Sequence, residues 1–152
     1  MSRRELILDA AGGLFQRYGF RKTTVDEIAH AAGIGKGSVY LEFAGKEDVF
    51  LALVEEHERG ILEGIRRVAS ASGPVEDRLT EVALIRPRRN LEEMEHFPEV
   101  FEILASLRGQ VVDRVKPYQD DCLGVVVGLV QEGVRDGVFR VRDAREAAHL
   151  FY

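Results

Sequence analysis

The sequence predicts an all-α protein, and three observations carry that expectation. Apolar residues recur at intervals of three and four through nearly every segment. Residues 23–53, TTVDEIAHAAGIGKGSVYLEFAGKEDVFLAL, hold two short amphipathic helix patterns joined by a glycine turn, then the start of a third. From Lys46 to about Ala71 one apolar face persists long enough for a single long helix.

The elements follow in order. From Arg4 to Tyr18, residues Ile7, Ala10, Ala11, Leu14, Phe15 and Tyr18 form one apolar stripe, and Gly19 is a C-terminal stop. Gly12 and Gly13 each disfavour a helix by about 1 kcal/mol relative to Ala, and close helix packing is the usual reason to find them. Thr24 and Glu27 have capping-box spacing: the Thr24 hydroxyl meets an orphan amide near Glu27, and Glu27 reaches back to the Thr24 amide. Ile28, Ala29 and Ala32 then face a core. Gly33 stands where that helix must stop, because glycine tolerates the left-handed conformation needed there. Ile34 plugs the turn, and Gly35 opens the next helix, roughly Lys36 to Phe43. Val39 and Phe43 are one turn apart and face inward, which leaves Lys36, Gly37, Ser38, Tyr40, Leu41 and Glu42 outside.

Beyond Lys46, the long helix carries Val49, Phe50, Leu53, Val54, Ile61, Ile65 and Val68, and Ser70–Pro74 breaks it. A helix starting near Val75 carries Leu79, Val82, Ala83 and Ile85 and ends before Pro87. Arg88–Glu95 is polar and reads as a short helix or a mobile segment. Pro98 suits a first helical turn, and that helix would bury Val100, Phe101, Leu104, Leu107 and Val111. Pro117 opens another, with Leu123, Val126, Val127 and Val130 toward a core and Gly133 or Gly137 near its end. A last pattern begins at Asp143 and is still running at Leu150, Phe151 and Tyr152.

Two short helices joined by a glycine turn are the layout of a helix-turn-helix, whose second helix enters the DNA major groove. An exposed Tyr and Leu on so short a helix suit a face that meets DNA rather than water. Other readings stay open at individual positions. Thr24 is explained equally by capping alone, Lys36 and Lys46 by solvation, and Tyr40 by packing inward. Glu42 either accepts from a cytosine amino group or lies off the interface.

The order of residues resembles the tetracycline-repressor (TetR) family of bacterial regulators. The resemblance rests on Ile7, Ala10, Ala11, Leu14, Phe15 and Gly19, then Thr24-Val25-Asp26-Glu27-Ile28-Ala29 and Ala32-Gly33-Ile34. It continues through Lys36-Gly37-Ser38-Val39-Tyr40, Phe43 and Lys46-Glu47-Asp48. It covers roughly the first 53 residues. It implies a DNA-binding domain over 1–46 and a helical effector-binding and dimerisation domain over 47–152. It further implies a homodimer that represses transcription from a double-stranded DNA operator until a small, largely apolar ligand binds. On matching positions it implies DNA contacts from Thr24, Lys36, Ser38, Tyr40 and Lys46, to which the outward face adds Gly37 and Leu41. Leu41 and Glu42 depart from the aromatic residues or histidine common there, which bears on which DNA is read. The family's effector pocket lies among the middle helices, so Ile85, Met94, Phe97, Phe101, Leu104, Arg108, Tyr118 and Cys122 are the candidate ligand contacts, each also explained by core packing. The family's last two long helices build its dimer interface. Only the first turns of the last are present here, so a C-terminally truncated chain is expected. Gly124-x-x-x-Gly128 would allow close helix approach.

Charge fits this division. Residues 1–46 carry seven Lys/Arg against five Asp/Glu, a net of +2, and the whole chain carries −5, leaving −7 for the remainder. A chain with a pI near 5.4 is no general polyanion binder. A locally basic head on an acidic body suits specific binding strengthened by phosphate contacts. At 152 residues and 45% hydrophobic, the chain can bury a sizeable core. No apolar run reaches about 18 residues, so no membrane span is expected. The lone Cys122 excludes an intramolecular disulfide and fits a reducing cytoplasm, so a cytoplasmic protein is expected. His30, His57, His96 and His149 are scattered, and no His/Cys/Asp set has metal spacing, so neither an enzyme, a metal nor a cofactor is expected. An enzyme would require His96 beside Cys122 and an acid. A DNA-bound scaffold whose body binds a protein partner is the alternative to the ligand-responsive repressor.

Overall fold

The computed structural model describes residues 1–151; Tyr152, the last of the three bulky C-terminal residues, lies outside them. The described residues form eight α-helices: α1 (Arg3–Tyr18), α2 (Val25–Ala31), α3 (Lys36–Glu42), α4 (Lys46–Ala69), α5 (Val75–His96), α6 (Val100–Ser106), α7 (Arg108–Arg135) and α8 (Ala144–Phe151). They divide into two compact units. The first comprises Met1–Glu56 and Glu93–Arg114, the second His57–Glu92 and Val115 onward.

In the first unit α1 begins at a capping box of Ser2 and Glu5, which satisfies two amides that a helix start otherwise leaves unpaired. Its Ile7, Leu8, Ala11 and Phe15 are buried, whereas Tyr18, read as the end of the stripe, is 51% exposed. The helix turns its last residue past the core edge, and Phe20 beyond the Gly19 stop takes the buried place. Phe15, Phe20, Phe50 and Phe97 form an aromatic cluster with ring centroids 5.2–6.4 Å apart, mostly tilted or edge-on, the arrangement that ring quadrupoles favour. Around it pack Ile28, Ala29, Val39, Phe43, Val49, Val100 and Ile103. A Cβ on Gly12 would lie 3.9 Å from Leu53 Cδ2, ordinary contact, and one on Gly13 would meet nothing. Close packing therefore does not explain either glycine.

Helix α6 corrects the sequence reading by rotation. Val100 and Ile103 are buried, Leu104 and Leu107 half-buried, and Phe101 is 55% exposed. On a two-turn helix the buried stripe is narrow, and seating Phe97 and Val100 on the aromatic cluster brings Ile103 inward at the expense of Phe101.

The second unit packs Ile61, Leu62 and Ile65 of α4, Val75, Leu79 and Val82 of α5, Cys122, Leu123, Val126, Leu129 and Val130 of α7, and Ala148 of α8. The Arg78 guanidinium ties the α4–α5 turn to α7, donating to the carbonyls of Ala69 (2.8 Å) and Gly73 (3.2 Å) and to the Glu132 carboxylate. That guanidinium holds the Glu132 carboxyl below the usual carboxylate range. Gly137, at φ +75°, follows the end of α7. Asp143 then caps α8, its Oδ1 accepting from the amides of Arg145 (2.7 Å) and Glu146 (3.0 Å).

Two proline expectations are overturned. Helix α5 runs through Pro87 to His96, and α7 runs through Pro117 from Arg108. Arg88–Glu95 is therefore helical. A proline removes one backbone bond and costs about 3 kcal/mol inside a helix, but its φ is helical. Strong helix formers beyond Pro87, and the buried Val115 before Pro117 with Cys122, Leu123 and Val126 after it, outweigh that local cost. Gly124 and Gly128 lie on an exposed face of α7, and a Cβ on either meets nothing within 4 Å.

Candidate nucleic-acid interface

Helices α2 and α3 form the helix-turn-helix, and each joint has an identifiable cause. The Thr24 hydroxyl accepts from the Glu27 amide (3.3 Å), and the Thr24 amide donates to Glu27 Oε2 (2.7 Å), completing the capping box. Hydrogen bonds from the Thr24 hydroxyl and amide hold the Glu27 carboxyl below its ordinary value. Helix α2 ends in a Schellman motif: the Gly33 amide donates to the His30 carbonyl (3.1 Å) and the Ile34 amide to the Ala29 carbonyl (3.0 Å). Gly33 sits at φ +68°, a conformation that disfavours any side chain. Gly35 then caps α3 without a side chain.

On α3 the inward pair is fully seated, Val39 at 0% and Phe43 at 2% exposure. The opposite face is open: Lys36 and Gly37 are exposed, Ser38 half-buried, Tyr40 51% exposed and Leu41 77% exposed. Tyr40 therefore does not pack into the core. Burial of Val39 and Phe43 fixes the rotation of α3, so Tyr40 and Leu41 are displayed as a consequence of how the helix is anchored.

Both charges of this face have partners within the chain. Lys36 Nζ lies 2.7 Å from Asp26 Oδ2, and that hydrogen bond holds the ammonium above the usual lysine range. Glu42 Oε1 lies 3.7 Å from Arg3 Nη1. Sequence reasoning missed both partners because they are ten and thirty-nine residues away, and helical spacing links only residues one turn apart. The carboxylate of Asp48 accepts from the Ala44 amide (3.0 Å) and from Arg114 Nη2 (2.5 Å), while Arg114 Nη1 reaches Glu55 (2.9 Å). This network fixes the turn between α3 and α4.

Lys46, expected on DNA, has its ammonium engaged within the chain. Its ammonium donates to the carbonyls of Phe20 (2.7 Å), Thr23 (2.9 Å) and Arg21 (3.4 Å) and lies 4.5 Å from the Phe20 ring centre. It closes the loop between α1 and α2.

The eight candidate ligand contacts divide between the units. Met94, Phe97, Phe101, Leu104 and Arg108 belong to the first, and Ile85, Tyr118 and Cys122 to the second. Phe97 is buried in the aromatic core and Cys122 in the second core. Leu104, Ile85 and Tyr118 are half-buried, and Met94, Phe101 and Arg108 exposed. His96 and Cys122 likewise fall in different units. Among the described residues, no helix is long and apolar enough to cross a membrane.

Comparison with known proteins agrees with this geometry. Residues 7–53 match the model for bacterial regulatory proteins of the tetR family, and residues 75–152 match that for the tetracyclin repressor-like C-terminal domain. The chain is 34% identical over 147 residues to the transcriptional repressor KstR2 of Rhodococcus jostii, spanning 91% of this chain and 68% of that protein. A transcriptional regulator of the TetR/AcrR family from Thermobifida fusca shares its fold with a TM-score of 0.79 at 26% identity, covering 98% of this chain and 79% of that one. FadR of Bacillus subtilis, solved with stearoyl-CoA, has a TM-score of 0.66 at 20% identity over 97% and 80% of the two chains, which speaks to fold alone. Such proteins regulate transcription and are not enzymes. With an N-terminal helix-turn-helix, a helical C-terminal part and both family models matched, the chain belongs to the TetR family of bacterial DNA-binding transcriptional regulators.

Proposed function

We propose that the chain acts as a homodimeric repressor that binds a palindromic operator through α3 and releases it when a small, largely apolar effector binds the helical body. One observation carries the DNA-reading part: Leu41 is 77% exposed and Tyr40 51% exposed on a helix whose Val39 is fully buried. Residues 1–46 form the reading head and 47–152 the body. Thr24, Lys36, Gly37, Ser38, Tyr40 and Leu41 supply the contacts. Lys46 supports them from behind, by fixing the loop that leads into α2.

The switch is geometric. Two recognition helices must sit about one DNA turn, or a multiple of it, apart to read both half-sites. An effector that prefers a body shape with another head spacing weakens binding, and only to the extent of its differential affinity for the two shapes. The names of similar proteins support this reading. One is a repressor, and one was solved with stearoyl-CoA.

The test is binding of the full-length protein to its own promoter region, titrated over salt, against shuffled DNA of equal length. A footprint of two symmetric half-sites, lost on adding one member of an acyl-CoA series, is the expected result. A footprint indifferent to every small molecule, with a protein partner bound to the body, would replace the repressor by a DNA-bound scaffold.

A further inference from the structure

The one buried side-chain polar atom lacking a hydrogen-bond partner among the described residues is Glu58 Oε2. Glu58 lies on α4 in the second unit, its side chain only 10% exposed. Its other oxygen, Oε1, accepts from Arg86 Nη1 of α5 at 2.8 Å. One helical turn along, the same face of α4 carries Ile61 and Leu62, and Val82 lies one turn before Arg86; all three are buried in the core. A carboxylate with an unused acceptor beside an apolar core is costly, because desolvation of that oxygen is not repaid.

The close approach of α4 and α5 here is built in. A Cβ on Gly64 would come within 3.4 Å of Ile85 Cγ2. The two helices thus hold an oriented acceptor, charged and kept in place by Arg86, against apolar walls.

We infer that Glu58, positioned by Arg86, is the polar anchor of an effector site, and that the effector carries a hydrogen-bond donor, a hydroxyl or amide N–H, on an otherwise apolar skeleton. This rests on the ligand-response reading above and specifies its chemistry. A hydroxyl placed on Oε2 satisfies the orphan oxygen, whereas an ether or ester of the same shape leaves it unpaired. A free carboxylate meets like charge. A site built around a buried acceptor rejects the analogue lacking the donor far more strongly than a site built on shape alone.

The test uses three ten-carbon probes, 1-decanol, decyl methyl ether and decanoate, titrated calorimetrically into the full chain. The wild type should bind decanol about tenfold tighter than either other probe. In the double variant Glu58→Met, Arg86→Met, which removes both charges and so leaves no lone buried one, the three should bind within about twofold of each other. Helical circular dichroism and a cooperative melt establish that the variant is folded. Equal binding of decanol and the ether by the wild type, a preference that survives in the double variant, or no binding of any probe overturns the anchor. Operator release is scored separately. Selective decanol binding without release leaves the anchor standing and removes the switch. An acyl-CoA that releases DNA equally from wild type and double variant does the reverse.

Discussion

Replacing Lys46 by Met separates two roles for one ammonium group. Its Nζ makes two short bonds to the partly buried carbonyls of Phe20 and Thr23, a longer one to Arg21, and a contact with the Phe20 ring. Hydrogen bonds involving a charged group are each worth about 1.5–3 kcal/mol. The ring contact adds roughly 0.5–1 kcal/mol. Water replaces part of this once the ammonium is gone, and methionine keeps the apolar stem, so the net loss is about 2–3 kcal/mol. For a chain of this size that corresponds to a fall in melting temperature of about 5–10 °C. Thermal and urea unfolding followed by circular dichroism would measure it. A companion titration with shuffled duplex DNA, run well below the melting point, should show an unchanged salt slope. The reasoning is refuted if Lys46→Met melts like the wild type while its salt slope falls by about 1, because the ammonium would then be on phosphate rather than on the loop.

Other outcomes follow from the same geometry. Leu41→Ala and Tyr40→Ala, at exposed positions, should leave stability within about 0.5 kcal/mol and weaken operator binding at least several-fold in a footprint titration; full affinity in both would remove α3 as the reading element. Gly33→Ala forces a side chain into a left-handed conformation at φ +68° and should cost about 1–2 kcal/mol in urea unfolding; an unchanged midpoint would mean the turn relaxes freely. The carboxyls of Glu27, Glu132 and Asp143 are all held below their ordinary values, 4.5 for the two glutamates and 3.8 for the aspartate, by hydrogen bonds made in the folded chain. Their stabilisation is complete above those values and is lost as pH falls through the lower folded ones. Urea midpoints measured from pH 6 down to pH 2.5 should therefore decline below about pH 4.5, and Glu27→Gln should flatten part of that decline; an identical acid limb in the variant would contradict the capping-box contribution.

How far the chain can be read without coordinates depends on the range over which each interaction acts. The capping box of Thr24 and Glu27, the Schellman stop at Gly33, and the inward pair Val39 and Phe43 are relations within one or two helical turns. Local stereochemistry and the 3.6-residue period determine them, and the family resemblance sits on those same residues. The exposed face of α3 was legible for the same reason, since knowing which side is buried says which side is not.

Tertiary structure decided the rest, because it depended on contacts between residues far apart in the chain. Pro87 and Pro117 are local stop signals, yet α5 and α7 continue through them, since favourable helix on both sides exceeds one lost bond. Phe101 and Ile103 compete for the same narrow stripe of α6, and packing at Phe97 and Val100 settles the rotation for Ile103. The carbonyls that take the Lys46 ammonium lie 23 to 26 residues away, the Asp26 partner of Lys36 ten away, and the Arg86 partner of Glu58 twenty-eight away. No periodicity encodes which charged side chain meets which acceptor across two helices. That follows only from the rotation and spacing that core packing imposes, and it is why the sequence alone identified the helix-turn-helix and the exposed face of α3 but not the loop that Lys46 closes or the buried carboxylate of Glu58.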